Sequence, residues 1–289
     1  MLLRPWQWVK NLFVFLPAFF GGKLWIANGG VWLEAAVVFV SFCMSASAVY
    51  CLNDIVDRRS DAAHPHRRDR PVASGRVSVG TAAVTGVLMA TAAVAAAWYG
   101  LPVNGGVVAA VVAGYLILNV LYCLWLKHMA VIDVITIAAG YVLRIVAGGL
   151  ACAVHLSPWI VIMVFLVTLL VAMGKRRSDV VLRNGGGYEG RESTRGYTLP
   201  FINSALAVVA SATMVSYILY TVSPEVMDRL DSEYIYVTAV FVLAGLLRYL
   251  QLVISYGLGD NPVRLIAADR RLQICVCAWI VSFAFIIYS

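Results

Sequence analysis

Charge is scarce in this chain. Of its 289 residues, 13% are Asp, Glu, Lys or Arg, about half the share of a soluble globular domain. That excludes a water-soluble enzyme of ordinary composition. Histidine occurs at 64, 66, 128 and 155 only, without zinc spacing. There is no G-x-x-x-x-G-K-[ST] phosphate loop and no G-x-S-x-G elbow, so P-loop and α/β-hydrolase chemistry drop out. The six cysteines (Cys43, Cys51, Cys123, Cys152, Cys275, Cys277) lie in or beside apolar runs with neither metal-ligand nor disulfide spacing, and read as small apolar residues. A cleavable leader is not expected, because no small-x-small site follows the short apolar run Leu12–Phe20. Acids are the minority sign, giving a formal charge of +7. The basic residues cluster between apolar runs, so membrane topology and anionic ligands account for that excess better than nucleic acid does.

What the chain has in abundance is apolar sequence: 62% hydrophobic residues and a mean hydropathy of +0.85. Runs of bilayer-crossing length are expected nine times, at 9–27, 32–52, 79–100, 104–126, 131–153, 157–174, 200–222, 234–255 and 271–288. The predicted fold is all-α, a polytopic membrane protein of one domain over residues 1–289, with no linker to a second. Placing the start of the chain in the cytoplasm puts eighteen of the 22 basic residues inside and leaves only Lys23 and Arg229 outside. That asymmetry predicts an internal N-terminus and an external C-terminus. Any chemistry then belongs to the cytoplasmic face, where the two long polar loops lie.

The first of those loops opens with NDIVDRRSD, Asn53–Asp61, directly after an apolar run. At about 100° per residue, Asp54, Asp57 and Asp61 share one helical face. Three carboxylates side by side repel each other unless a cation sits between them, and Mg²⁺ takes carboxylate and phosphate oxygens. The triad thus reads as a seat for a Mg–diphosphate, with the arginines that follow supplying phosphate contacts. A solvated charged loop is the plainer reading of the same composition.

Four further clusters share that face. In GKRRSD, Lys175, Arg176 and Arg177 read either as headgroup anchors or as a phosphate clamp. Tyr122, Lys127 and Asp133 flank a tight turn, where Lys127 is equally a snorkelling lysine. Asp133 and the deeper Arg144 are costly in a span and each calls for a partner or a polar cavity. In RPWQWVKN, Gln7, Lys10 and Asn11 enter the first span, where Lys10 and Asn11 would hold a lipid phosphate or simply anchor the chain. The turn-rich GLGDNPVRLIAADRR, Gly257–Arg271, covers a site or merely joins two helices.

NDIVDRRSD matches the NDxxDxxxD signature of the UbiA prenyltransferase superfamily, and the chain resembles that superfamily over nearly its whole length. Within it, RPWQWVKN, HPHRRDRPVASG, YCLWLK, GKRRSD and YTLPFINSALAV resemble the decaprenyl-phosphate phosphoribosyltransferases. The resemblance implies a nine-helix bundle around a central cavity open to the cytoplasmic side, in a bacterial inner membrane. The second aspartate-rich motif of most lipid-quinone prenyltransferases is replaced here by Lys175, Arg176, Arg177 and Asp179. Asp179 and the Asp260-Asn261-Pro262 order also depart from the subfamily's usual pattern.

The activity so implied is Mg²⁺-dependent transfer of 5-phosphoribosyl from phosphoribosyl diphosphate (PRPP) to a polyprenyl phosphate. Asp54, Asp57 and Asp61 would hold the metal. Asn53, Arg67, Arg68, Arg70, Tyr122, Lys127, Asp133, Arg144, Lys175 and Arg176 would bind the donor, and Lys10, Gln7 and Asn11 the lipid phosphate. Two other activities stay open: a UbiA-type prenyltransferase acting on an aromatic or quinone precursor, and a non-enzymatic anion transporter lined by Arg144 and Asp133. The sequence is also compatible with an oligomer.

Overall fold

The computed structural model describes residues 2–20, 30–62, 68–185, 192–260, 265 and 267–288. All regular structure among them is helical. Among the described residues, seven helical segments are long and apolar enough to cross a membrane. They are α2 (Gly30–Val56), α4 (Val79–Gly100), α5 (Gly105–Leu124), α6 (Ile132–Ala151), α7 (Pro158–Asn184), α8 (Leu199–Thr221) and the Ile235–Ser255 segment, whose centre is α10 (Ala239–Leu250). Short helices α3 (Arg58–Ala62) and α9 (Pro224–Leu230) lie between them, and α11 is Arg270–Tyr288.

Two expectations need correction. The first predicted span is a 3₁₀ helix, Pro5–Phe15, running into the short α1, Leu16–Phe20, and its remainder lies outside the described residues. The sixth was expected to end at 174, but α7 continues to Asn184. Residues 175–184 contain no Gly or Pro, and lysine and arginine are good helix formers. GKRRSD therefore rides on a helix instead of a loop.

The chain forms two compact units. One comprises residues 1–127 and 140–156, the other 128–139 and 157–289, so the chain changes unit within α6. The core of the first unit joins Val14, Val38, Phe42, Ala97, Val108, Val112, Tyr115 and Ala147. Alanines at 82, 93 and 97 are the buried face of α4, while Val84, Val87, Leu88 and Trp98 are exposed. Small residues inward and large apolar ones outward is the pattern lipid selects, because close backbone approach, not water expulsion, holds helices together there. Gly148 of α6 is such a contact, since a Cβ would meet the Val14 backbone.

In the second unit α7 packs on α8, around Leu170, Met173, Val180, Ile202, Leu206 and Val253. After α10 the chain widens into a π-helical turn, Gln251–Ser255. Buried Arg177 donates to the Val253 and Ile254 carbonyls at 2.7 and 3.0 Å and to Asn203 Oδ1 at 2.8 Å. It thus satisfies polar groups the wider turn exposes.

Gly148→Ala is expected to destabilise the protein by about 1–3 kcal/mol, because overpacking against rigid backbone cannot be relieved by a rotamer change. Thermal unfolding in detergent checks this. Gly114→Ala, where a Cβ meets nothing within 4 Å, serves as the unperturbed control.

Candidate active site

The last turn of α2 carries Asn53 and Asp54 out of the apolar run, and Asp57 joins it to α3, which carries Asp61. The Asp57 amide donates to the Asn53 carbonyl at 2.9 Å and the Asp61 amide to the Asp57 carbonyl at 2.8 Å. Helical spacing therefore continues across the junction, as the sequence pattern required. Asp54 and Asp61 are 1% and 2% exposed. Carboxylates so far from water need compensating charge.

Three cations supply charge of the opposite sign to this acidic stretch, two of them 50 and 70 residues from their acids. Arg4 forms a short ion pair with Asp54 Oδ1. Arg70 Nη1 lies 2.5 Å from Asp61 Oδ2 and 3.9 Å from Asp54 Oδ1, so one guanidinium serves both acids. Lys127, itself buried, donates to Asp57 Oδ1 at 2.5 Å. Asn53 accepts from the Cys123 thiol at 3.7 Å. Asp54 and Asp61 are thereby gathered around Arg70, while Asp57 is paired with Lys127.

A Mg²⁺ seat needs hard oxygen donors: one or two carboxylates, with substrate phosphates and water completing the shell. Asp54 and Asp61 are donors of that type. Asp54 Oδ2 is buried and has no hydrogen-bond partner among the described residues, an acceptor whose capacity they leave unmet. Among the described residues no three His, Cys, Asp or Glu are grouped closely enough to cage an ion alone. With substrate oxygens completing the shell, these residues fit the ion.

The second unit holds another buried ionic cluster. Asp133, in the first turn of α6, is fully buried and accepts from Arg176 Nε at 2.5 Å. Arg176 Nη1 donates to Asp179 Oδ2 at 2.8 Å, so this arginine lies between two carboxylates. The Tyr197 hydroxyl donates to Asp133 Oδ1 at 2.8 Å and accepts from the Val131 amide at 2.7 Å. Burial, reinforced by the bond to Asp133, pushes the Tyr197 phenol well above the usual tyrosine range. It is therefore a permanent donor at neutral pH. Val131 has φ +68°, strained for a β-branched residue, and the tyrosine bond pins it there.

The remaining predicted residues divide. Lys175 and Arg68 are exposed, Tyr122, Gln7 and Lys10 are half-buried, and Arg67 lies outside the described residues. Two assignments meet a different environment. Arg144 donates to Asn11 Oδ1, the Gly140 carbonyl and the Tyr115 hydroxyl at 2.8–2.9 Å, and lies 4.7–5.5 Å from the ring centres of Phe42, Tyr115 and Tyr141. Asn11 is wholly buried and also donates to Cys43 Sγ at 3.2 Å. Arg144 is held as an intramembrane cation by aromatic faces and neutral acceptors, and Asn11 accepts from it. Conversely, Arg4 and Tyr197 carry site contacts that no local pattern announced, since their partners lie 50 and 64 residues away.

Residues 14–263 match the UbiA prenyltransferase family. The chain is 32% identical over 286 residues to the decaprenyl-phosphate phosphoribosyltransferase of Corynebacterium glutamicum, covering 99% of this chain and 85% of that protein. It is 33% identical to that of Mycolicibacterium smegmatis (99% and 91% covered) and 31% identical to that of Mycobacterium tuberculosis (97% and 91%). Its backbone is similar to a UbiA homolog from Archaeoglobus fulgidus bound to DMAPP and Mg²⁺, with a TM-score of 0.72 at 18% identity over 99% of this chain and 97% of that one. The helical fold, the intact NDxxDxxxD stretch and similarity running the length of the sequence agree, and the chain belongs to the UbiA prenyltransferase family.

Proposed function

We propose that this protein is a membrane-embedded, Mg²⁺-dependent transferase that moves 5-phosphoribosyl from PRPP to a polyprenyl phosphate and releases diphosphate. The observation that carries this reading is the buried Asp54–Arg70–Asp61 cluster. It lies in a chain that aligns over 97–99% of its length with relatives bearing the name of that activity.

In the reaction, an oxygen of the acceptor phosphate bonds to the anomeric carbon of the ribose. The bond from that carbon to the diphosphate oxygen breaks, and its electron pair leaves with the diphosphate. The acceptor is already an anion at neutral pH, so no general base is required. When bound, Mg²⁺ supplies Lewis-acid stabilisation of the leaving charge; Asp54 and Asp61 would hold it, with Asp57 beside them. Arg70 and Lys127 are cations already in place next to those acids, so charge growing on the leaving group meets fixed dipoles and charges without reorganisation. Arg176, oriented by Asp133 and Asp179, and exposed Lys175 bind the donor's phosphates. Asn53 orients the first acid or the ribose. Lys10 and Gln7 take the lipid phosphate.

The same reading places nine helices around a central cavity open to the cytoplasmic side, as a single domain in a bacterial inner membrane. The N-terminus faces the cytoplasm and the C-terminus the outside.

Purified protein incubated with labelled PRPP, Mg²⁺ and polyprenyl phosphate should yield a labelled lipid, and its absence would refute the reading. Asp54→Asn is expected to lower turnover by about 100-fold or more while the protein remains folded in detergent. Lys175→Ala should raise the KM for PRPP more than that for the lipid; the opposite split would mean the two phosphate sites are exchanged. Tyr197→Phe removes both hydroxyl bonds but keeps the ring. It should cost about 1–3 kcal/mol in thermal unfolding, because Asp133 and the Val131 amide each lose a buried partner.

A further inference from the structure

The segment preceding α2 lies along a single stripe of that helix. Cys43, Ser47, Tyr50 and Asp54 are spaced four, three and four apart, which places them on one face. Their partners run in the opposite order. Asn11 Nδ2 donates to Cys43 Sγ at 3.2 Å, and Trp8 Nε1 donates to Ser47 Oγ at 3.2 Å. Ser47 Oγ in turn donates to the Leu3 carbonyl at 3.1 Å. Arg4 then stacks on the Tyr50 ring, 5.0 Å from its centre, and ends on Asp54 Oδ1. Its backbone is left-handed, φ +46°, a conformation that costs a side-chain-bearing residue energy and persists only where surrounding contacts enforce it.

Asp54 is asymmetric as a result. Oδ1 is taken by Arg4, while Oδ2 is buried with no partner among the described residues. We propose that Arg4 is a further positioning residue of the site: clamped along this stripe, it pins Oδ1 of Asp54 and leaves Oδ2 as the oxygen presented to a divalent cation. The inference rests on the proposed function and names the residue that orients its carboxylate. Without Arg4, the only other cation within 4 Å of Asp54 among the described residues is Arg70, at 3.9 Å. The side chain would then turn toward Arg70 and the presented oxygen would be lost. Outer contacts of this kind set ligand orientation, and their removal weakens metal binding by about 10–100-fold.

The test is a titration of the purified full chain in detergent with Mn²⁺, with and without inorganic diphosphate, read by electron paramagnetic resonance alongside thermal unfolding. Arg4→Gln is expected to weaken Mn²⁺ binding by about tenfold or more, and Arg4→Lys to restore part of it. Trp8→Phe loosens the clamp four residues away without touching the acid, and should produce a smaller loss in the same direction. It also keeps the idea testable if Arg4→Gln does not fold. Unchanged or tighter binding in Arg4→Gln would overturn the inference, the latter marking Arg4 as a competitor of the ion. A lowered unfolding temperature with unaltered Mn²⁺ binding would overturn it too, leaving a purely structural contact. Asp54→Asn separates the two levels: if it binds Mn²⁺ like the wild type, the metal seat itself fails. If it loses binding while Arg4→Gln does not, only the role of Arg4 fails.

Discussion

A carboxylate withdrawn from water stays charged only beside a cation, and that constraint organises both units of this protein. Asp54, Asp61 and Asp133 are all almost fully buried in a largely apolar chain. Each is met by a guanidinium from outside its own helical turn: Arg4, Arg70 and Arg176 respectively. Removing one member of such a pair is costly because the other charge is left stranded. The acids at the end of α2 thus dictate where the segment before α2 and the loop after α3 must lie.

The same rule governs the intramembrane cation, with a different solution. Arg144 has no carboxylate among its described partners; aromatic faces, a phenol, an amide and the Gly140 main-chain carbonyl hold it instead. Neutral acceptors satisfy the N–H groups without adding a second charge to desolvate. The arginine therefore acts as a staple between α6, α5 and the 3₁₀ helix. Arg177 does the corresponding work in the second unit, where it takes the carbonyls of the π-helical turn.

The cluster at Asp133 differs again, because Arg176 lies between two acids and Tyr197 adds a neutral donor. Arg176 is thus oriented by two carboxylates. This suits a group that must present N–H donors at a defined angle. Val131, held at positive φ by the same tyrosine, shows how firmly this junction is set.

Hydropathy alone located most of the long helices, because a bilayer imposes a minimum apolar length whatever the packing. The expected and observed limits of α4 coincide, and α5, α6 and α8 differ by one or two residues at each end. The face shared by Asp54, Asp57 and Asp61 was also legible, since helical periodicity is local. Helix continuation past Gly174 was missed because a charge cluster reads as the end of a span, although the residues themselves favour helix. The partners of the acids were not legible at all. Arg4 with Asp54, Lys127 with Asp57, Tyr197 with Asp133 and Asn11 with Arg144 are separated by 50 to 133 residues. Composition and periodicity thus determined a helical membrane protein with an acidic stripe at the end of α2. Only the tertiary structure decided which cation answers each acid and which oxygen of Asp54 is left unmet, because burial and pairing are properties of where chain segments meet.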